Sequence, residues 1–133
     1  MLKGACLCGD VQFEADAEAT VAGYCHCTRC QRSSGAGSLP AFLVSGHAFK
    51  VVAGQHKLRS FAEEGHVTRH FCGECGSAIY ADSPDITVVN AGVLAPGSDF
   101  KPQFHMMVDF KASWDEITDG LPQFGEYPPM PES

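Results

Sequence analysis

The stretch GACLCGDVQFEADA, Gly4–Ala17, holds two signals side by side. Cys6 and Cys8 sit two positions apart between glycines, and such neighbours pair badly with each other because a disulfide demands specific Cα and Cβ spacing. From Val11 onward, apolar Val11, Phe13 and Ala15 alternate with polar Gln12, Glu14 and Asp16, the period of a half-buried strand. FHMMVDF repeats the pattern, with Phe104, Met106, Val108 and Phe110 on one face and His105, Met107 and Asp109 on the other. Further strands are expected at Ser38–Val44, Ala48–Val52, Lys57–Phe61, Val67–Phe71, Ser77–Ala81 and Ile86–Ala91. No stretch keeps a 3.6-residue period, so helical turns are expected only at Arg29–Ser33 and Trp114–Ile117, with Trp114 in the core. Fourteen glycines and eight prolines punctuate the strands as turns. The pattern predicts an all-β, many-stranded antiparallel domain over residues 1–133, its Pro-rich tail Asp119–Ser133 irregular.

At 133 residues the chain supports one modest core. Its net charge of −7, with no basic stripe, argues against nucleic acid and against an anionic membrane surface. No apolar run reaches the roughly 18 residues of a membrane span. The first residues, MLKGACLCGD, lack the apolar run of a secretory signal, so a soluble cytoplasmic protein with reduced thiols is expected, a monomer or a homodimer.

Seven cysteines are an odd number, and in a reducing compartment clustered cysteine points to metal rather than to disulfides. Zinc suits thiolates and prefers four tetrahedral ligands. FCGECG, Phe71–Gly76, has the form of a zinc knuckle, with Cys72 and Cys75 astride a glycine-containing turn. Cys6 and Cys8 can complete a closed four-thiolate site with them. CHCTRC then leaves Cys25, Cys27 and Cys30, and three protein ligands with an open fourth position mark a catalytic zinc. Spacing alone leaves other partitions open, Cys25/Cys27 with Cys72/Cys75 among them. A closed second site completed by His105 or His70 is the structural alternative; His26, wedged between two ligands, is expected to point elsewhere.

An ordered series of motifs carries a family resemblance: Gly4–Gly9 (GACLCG), then CHCTRCQRSSGAG (Cys25–Gly37), then RHFCGECGSAIY (Arg69–Tyr80), and His105 followed by Trp114. In these the chain resembles the glutathione-dependent formaldehyde-activating (GFA) family, also called the centromere-protein-V/GFA family, over about Leu2 to Phe124. The resemblance implies the β-tent fold of several coiled antiparallel sheets built around zinc knuckles. It implies one structural zinc on Cys6, Cys8, Cys72 and Cys75 and a second, active-site zinc on Cys25, Cys27 and Cys30, the four-plus-three partition. It further implies a carbon–sulfur lyase, like S-hydroxymethylglutathione synthase, joining a small thiol such as glutathione to an aldehyde such as formaldehyde. A non-catalytic zinc module that binds another protein is the alternative.

Glutathione is anionic, which makes Arg29 and Arg32, inside and just after the cysteine cluster, candidates for its recognition; Gln31 is a candidate hydrogen-bond partner for a peptide-like substrate. His105 is a candidate proton shuttle near the second zinc.

Overall fold

The computed structural model describes residues 1–16 and 21–129. The chain folds as an all-β structure of two sheets with one short helix. Strands β1 (Leu2–Ala5), β2 (Gln12–Ala15) and β5 (Phe49–Ala53) form a three-stranded antiparallel sheet in the order β1-β2-β5. The larger sheet has seven strands in the order β10-β3-β4-β9-β8-β7-β6. Its members are β3 (Val21–Cys25), β4 (Leu39–Val44), β6 (Leu58–Phe61), β7 (Thr68–Cys72), β8 (Ala78–Ser83), β9 (Ile86–Asn90) and β10 (His105–Met106). Helix α1 (Thr28–Ser34) lies between β3 and β4.

The core lies between the sheets. Phe13 and Ala15 of β2 point inward, as their alternation requires, and meet Phe42 and Val44 of β4, Ile79 of β8 and Val89 of β9. All six are buried, and removal of this apolar surface from water is the main favourable contribution to folding. Where β1 crosses β2 the approach is so close that a Cβ at Gly4 would run into the Phe13 ring and the carbonyl of Val93.

Strand pairing also decides what shares a face. Cys25 stands opposite Leu39 and, two residues along β4, Ala41 opposite Asn90. Two residues back along β9, Val88 stands opposite Ala81, Ala81 opposite Arg69, and Arg69 opposite Phe61. Directly opposed side chains project to the same side of an antiparallel pair. Cys25, Asn90, Arg69 and Phe61, drawn from four strands, therefore occupy one face of the larger sheet.

Several expectations fail in detail. The regular strand over Phe104–Phe110 does not form: only His105–Met106 is extended, Met107 takes a left-handed conformation (φ 58°), and Val108–Phe110 is a 3₁₀ turn. The reason is the tail. The amide of His105 donates to the carbonyl of Pro122, Phe124 returns a bond to His105, and Met107, Val108 and Asp109 bond to residues 124–126, so this backbone is satisfied by a non-repeating partner. The described part of the tail is thus tied down, and its last residues, 130–133, lie outside the described region, as does Ala17 at the end of the Val11–Ala17 strand. The β10–β3 pair is parallel, as is the isolated bridge between His105 and Gln123, a departure from the antiparallel pairing of the other named strands. No helical turn forms at Trp114–Ile117, and Trp114 is 73% exposed rather than core. Strands β1 and β3 had no clear signal in the alternation, because Gly4 and Gly23 dilute it.

Candidate functional site

Two cysteine groups are gathered by the fold: Cys6, Cys8, Cys72 and Cys75 in one, Cys25, Cys27 and Cys30 in the other. In each group the sulfurs lie within 4.8 Å of one another. All seven cysteines are free thiols.

The four-thiol group is built from two turns of like design. CLCG leaves β1, and CGECG leaves β7; each closes on a glycine with positive φ, Gly9 at +83° and Gly76 at +81°, a conformation that favours glycine. The amide of Gly9 donates to the Cys6 carbonyl and that of Gly76 to the Cys72 carbonyl. The amide of Val11 reaches Cys6 Sγ at 3.3 Å, and the Ser77 hydroxyl lies 3.3 Å from Cys75 Sγ. That hydroxyl, together with the Ser77 amide, lowers the Cys75 thiol to about 5. Ser77 Oγ also accepts from the amide of Leu7 at 2.9 Å, which fastens the two turns together, and Lys57 pairs with Asp10 beside them. A tetrahedral zinc with Zn–S bonds of about 2.3 Å sets its sulfurs roughly 3.8 Å apart. The Cys8–Cys72 separation is 3.8 Å and the Cys6–Cys8 separation 3.4 Å, so the donor set and its spacing fit such an ion.

The three-thiol group has a different construction. Cys25 ends β3, Cys27 caps α1 by accepting the amide of Cys30 on its sulfur at 3.3 Å, and Cys30 is buried in the first turn of that helix. Leu39, Met106 and Met107 pack around them. Crowded thiols share their protons unequally here. Hydrogen bonds from Cys25 and Cys30 hold Cys27 as a thiolate, its pKa lowered to about 2, while Cys25 is pushed up by that same bond to Cys27. Three sulfurs gathered this closely are a donor set that a divalent cation would fit. No histidine belongs to it among the described residues.

Both histidines that were candidates to close the second group are engaged elsewhere. His70 bonds Ser60 through Nδ1 (2.8 Å) and Asp82 through Nε2 (2.7 Å). His105 is 4% exposed, stacks on Tyr24, bonds Asp119 through Nε2 (2.9 Å) and His26 through Nδ1 (2.9 Å). Asp119 stays ionised well down in pH, since the amide of Leu121 and the His105 ring both donate to it. With both rings neutral, His105 donates from Nε2 to Asp119 and accepts at Nδ1 from His26 Nε2. His26 is buried, which favours its neutral form, and its Nδ1 has no hydrogen-bond partner. Register places His105 beside Tyr24 and Met106 beside Cys25, so the His105 ring lies across the sheet from the thiols.

Of the polar candidates, Arg29 is clasped by Glu63 through two bonds of 2.8 and 3.1 Å. Gln31 donates to the carbonyls of His26 (2.7 Å) and Phe110 (3.0 Å), holding the cysteine loop to the 3₁₀ turn. Arg32 is exposed on α1 and has no partner among the described residues.

A cleft of about 250 Å³ opens beside α1, lined among others by Ser33, Phe61, Arg69, Phe71 and Asn90. Arg69 and Asn90 carry no local signal in the sequence; only strand register brings them together.

The sequence profile of the family described as glutathione-dependent formaldehyde-activating enzyme matches residues 1–109, with all seven cysteines inside the match. The chain belongs to this family. Its GFA region thus spans the three-stranded sheet, the larger sheet and both cysteine groups. Among solved structures, a Rhodobacter sphaeroides protein resembles this GFA chain at 25% identity with a TM-score of 0.60, over 73% of this chain and 90% of that one. No curated protein matches it. Among the described residues no helix is long and apolar enough to cross a membrane.

Proposed function

We propose that this chain is a zinc-dependent enzyme of carbon–sulfur lyase type, which forms or cleaves the adduct between a small glutathione-like thiol and a formaldehyde-like aldehyde. The observation that carries the reading is the contrast in donor number: among the described residues four thiols converge in one group, and three with no further His, Cys, Asp or Glu donor in the other. Cys6, Cys8, Cys72 and Cys75 would hold a structural zinc, and Cys25, Cys27 and Cys30 a second. Bound there, zinc supplies a positive centre that favours the thiolate form of an incoming thiol.

The chain's own residues prepare that place. The helix cap fixes Cys27, the amide of Cys30 stabilises charge on its sulfur, and the apolar wall of Leu39, Met106 and Met107 shuts water away from the buried side. Gln31 locks the loop that carries Cys25 and Cys27. His105, with both ring nitrogens engaged, serves as a positioning residue: through His26 it anchors the same loop from the opposite face of the sheet. Arg32 keeps an unpaired guanidinium beside the site for an anionic substrate, whereas Arg29 is neutralised by Glu63. A reduced cytoplasm suits thiols that must stay free.

Native mass spectrometry of the metal load, with and without glutathione, tests this. Two zinc ions per chain, with glutathione adding to the complex or displacing one metal only, is the expected result. One zinc, or two that glutathione leaves untouched, would overturn the thiol-binding reading and direct attention to a binding module for protein partners.

A further inference from the structure

Beside the thiol group lies a cation that has no ion pair among the described residues. Arg69 projects from the face of the larger sheet that also carries Cys25, and its guanidinium makes a single hydrogen bond, from Nη1 to Ser33 Oγ at 3.2 Å. It forms no ion pair among the described residues. Glu63 is near enough to feel its charge, but both Glu63 oxygens are already taken by Arg29. Ser33 in turn donates to the carbonyl of Cys30 at 3.3 Å, so two hydrogen bonds connect the cation to the thiol group. Asn90 of β9, only 9% exposed, lines the same cleft as Arg69. Its side-chain amide has no hydrogen-bond partner among the described residues. An amide that lines a cleft and has no protein partner is free to hydrogen-bond what enters. Phe61 and Phe71 give the cleft apolar walls. In a chain of net charge −7, an unpaired arginine in such a place is selective for anions, because the rest of the surface repels them.

We infer that this cleft is the carboxylate-binding subsite for a small acidic thiol, with Arg69 taking the carboxylate and Asn90 an adjacent polar group. The sulfur end of the ligand then points along the shared sheet face toward Cys25, Cys27 and Cys30. For what stands at that sulfur end, the inference rests on the thiol-binding function proposed above. The fork of a guanidinium matches a carboxylate through two parallel bonds, a match lysine does not reproduce. At about 250 Å³ the cleft falls below the roughly 300–1,000 Å³ of drug-sized pockets, so it selects a short ligand or one arm of a longer one.

The test uses the zinc-loaded full chain and three probes: mercaptopropionate, mercaptoethanol, and methylthiopropionate, which keeps the carboxylate but has no thiol. Calorimetry should find mercaptopropionate binding about tenfold tighter than mercaptoethanol. That advantage should vanish in Arg69→Gln and survive in part in Arg69→Lys. Methylthiopropionate should shift the NMR signals of the Arg69 Nε–H and the Asn90 side-chain amide in the unmutated protein, a readout independent of whether any variant folds. Equal binding of the two thiols, or no shift of the Arg69 and Asn90 signals, would overturn the subsite while leaving thiol binding intact. Shifts from methylthiopropionate with no gain from a free thiol would support the subsite and sink the proposed thiol chemistry instead.

Discussion

The two cysteine groups are made of the same atoms and built on opposite plans. The four-thiol group joins two glycine-closed turns separated by 64 residues, and hydroxyl and amide donors surround its sulfurs. The three-thiol group is local, gathered within six consecutive residues by the end of a strand and the cap of a helix, and its neighbours are methionine and leucine. One joins the turn after β1 to the turn after β7; the other lies at the junction of β3 and α1, beside a cleft. On the function proposed above, the closed set far apart in sequence would serve stability and the incomplete set close in sequence would serve chemistry.

The largest expected effect lies in the first group. Cys72 is completely buried and bridges β7 to the N-terminal turn, so Cys72→Ser should abolish cooperative thermal unfolding followed by circular dichroism. Structural zinc is worth about 10–16 kcal/mol in small finger peptides, as much as the whole stability of many domains. An unchanged melting curve would break the comparison at its root. Cys27→Ser should do the reverse. The fold should persist with a melting midpoint within about 5 °C of the parent, one metal equivalent should be lost, and thiol-dependent turnover should drop by at least about a hundredfold. Unfolding in that variant would make the second group structural as well.

A smaller effect concerns the histidine pair behind the second group. The folded pKa of Asp119 lies below its ordinary value because the Leu121 amide and His105 donate to it. Its contribution to stability is therefore present above the ordinary aspartate pKa of about 3.9 and fades as the pH falls through the lowered folded value. Urea unfolding of Asp119→Asn should show a shallower loss between about pH 5 and pH 3 than the parent, both proteins carrying the same cysteines. Identical slopes would remove Asp119 from the network. Least of all, Arg29→Gln should move the melting midpoint by no more than about 2 °C, since it breaks an exposed ion pair. A loss as large as that of a core substitution would assign Arg29 a structural role that its surroundings do not suggest.

What could be read in advance follows the range of each interaction. The inward set Val11, Phe13 and Ala15 and the helical turn after Cys27 depend on adjacent residues, and both are where the pattern puts them. The four-plus-three division needed the family resemblance, because spacing alone allowed Cys25 and Cys27 to join the knuckle at Cys72. Several of the departures are non-local. The alternation in FHMMVDF is genuine, yet residues 122–126 claim its backbone and turn Met107 left-handed. The partner of Arg29, a candidate because it sits among the cysteines, is a glutamate 34 positions away. Arg69 and Asn90 enter the site only through the pairing of β7, β8, β9 and β4, which no window along the chain contains.

The distance between Cys8 and Cys72 also sets an order in time. A chain is made from its N-terminus, at a pace of roughly 5–20 residues per second. Cys25, Cys27 and Cys30 leave the ribosome together, while Cys6 and Cys8 must wait for Cys72 and Cys75, several seconds of exposure for two nucleophilic sulfurs next to an available metal trap. The three-thiol group is thus complete, and able to capture an ion, before the four-thiol group exists, and newly made chains should be most vulnerable to mismetallation and to oxidation in that interval.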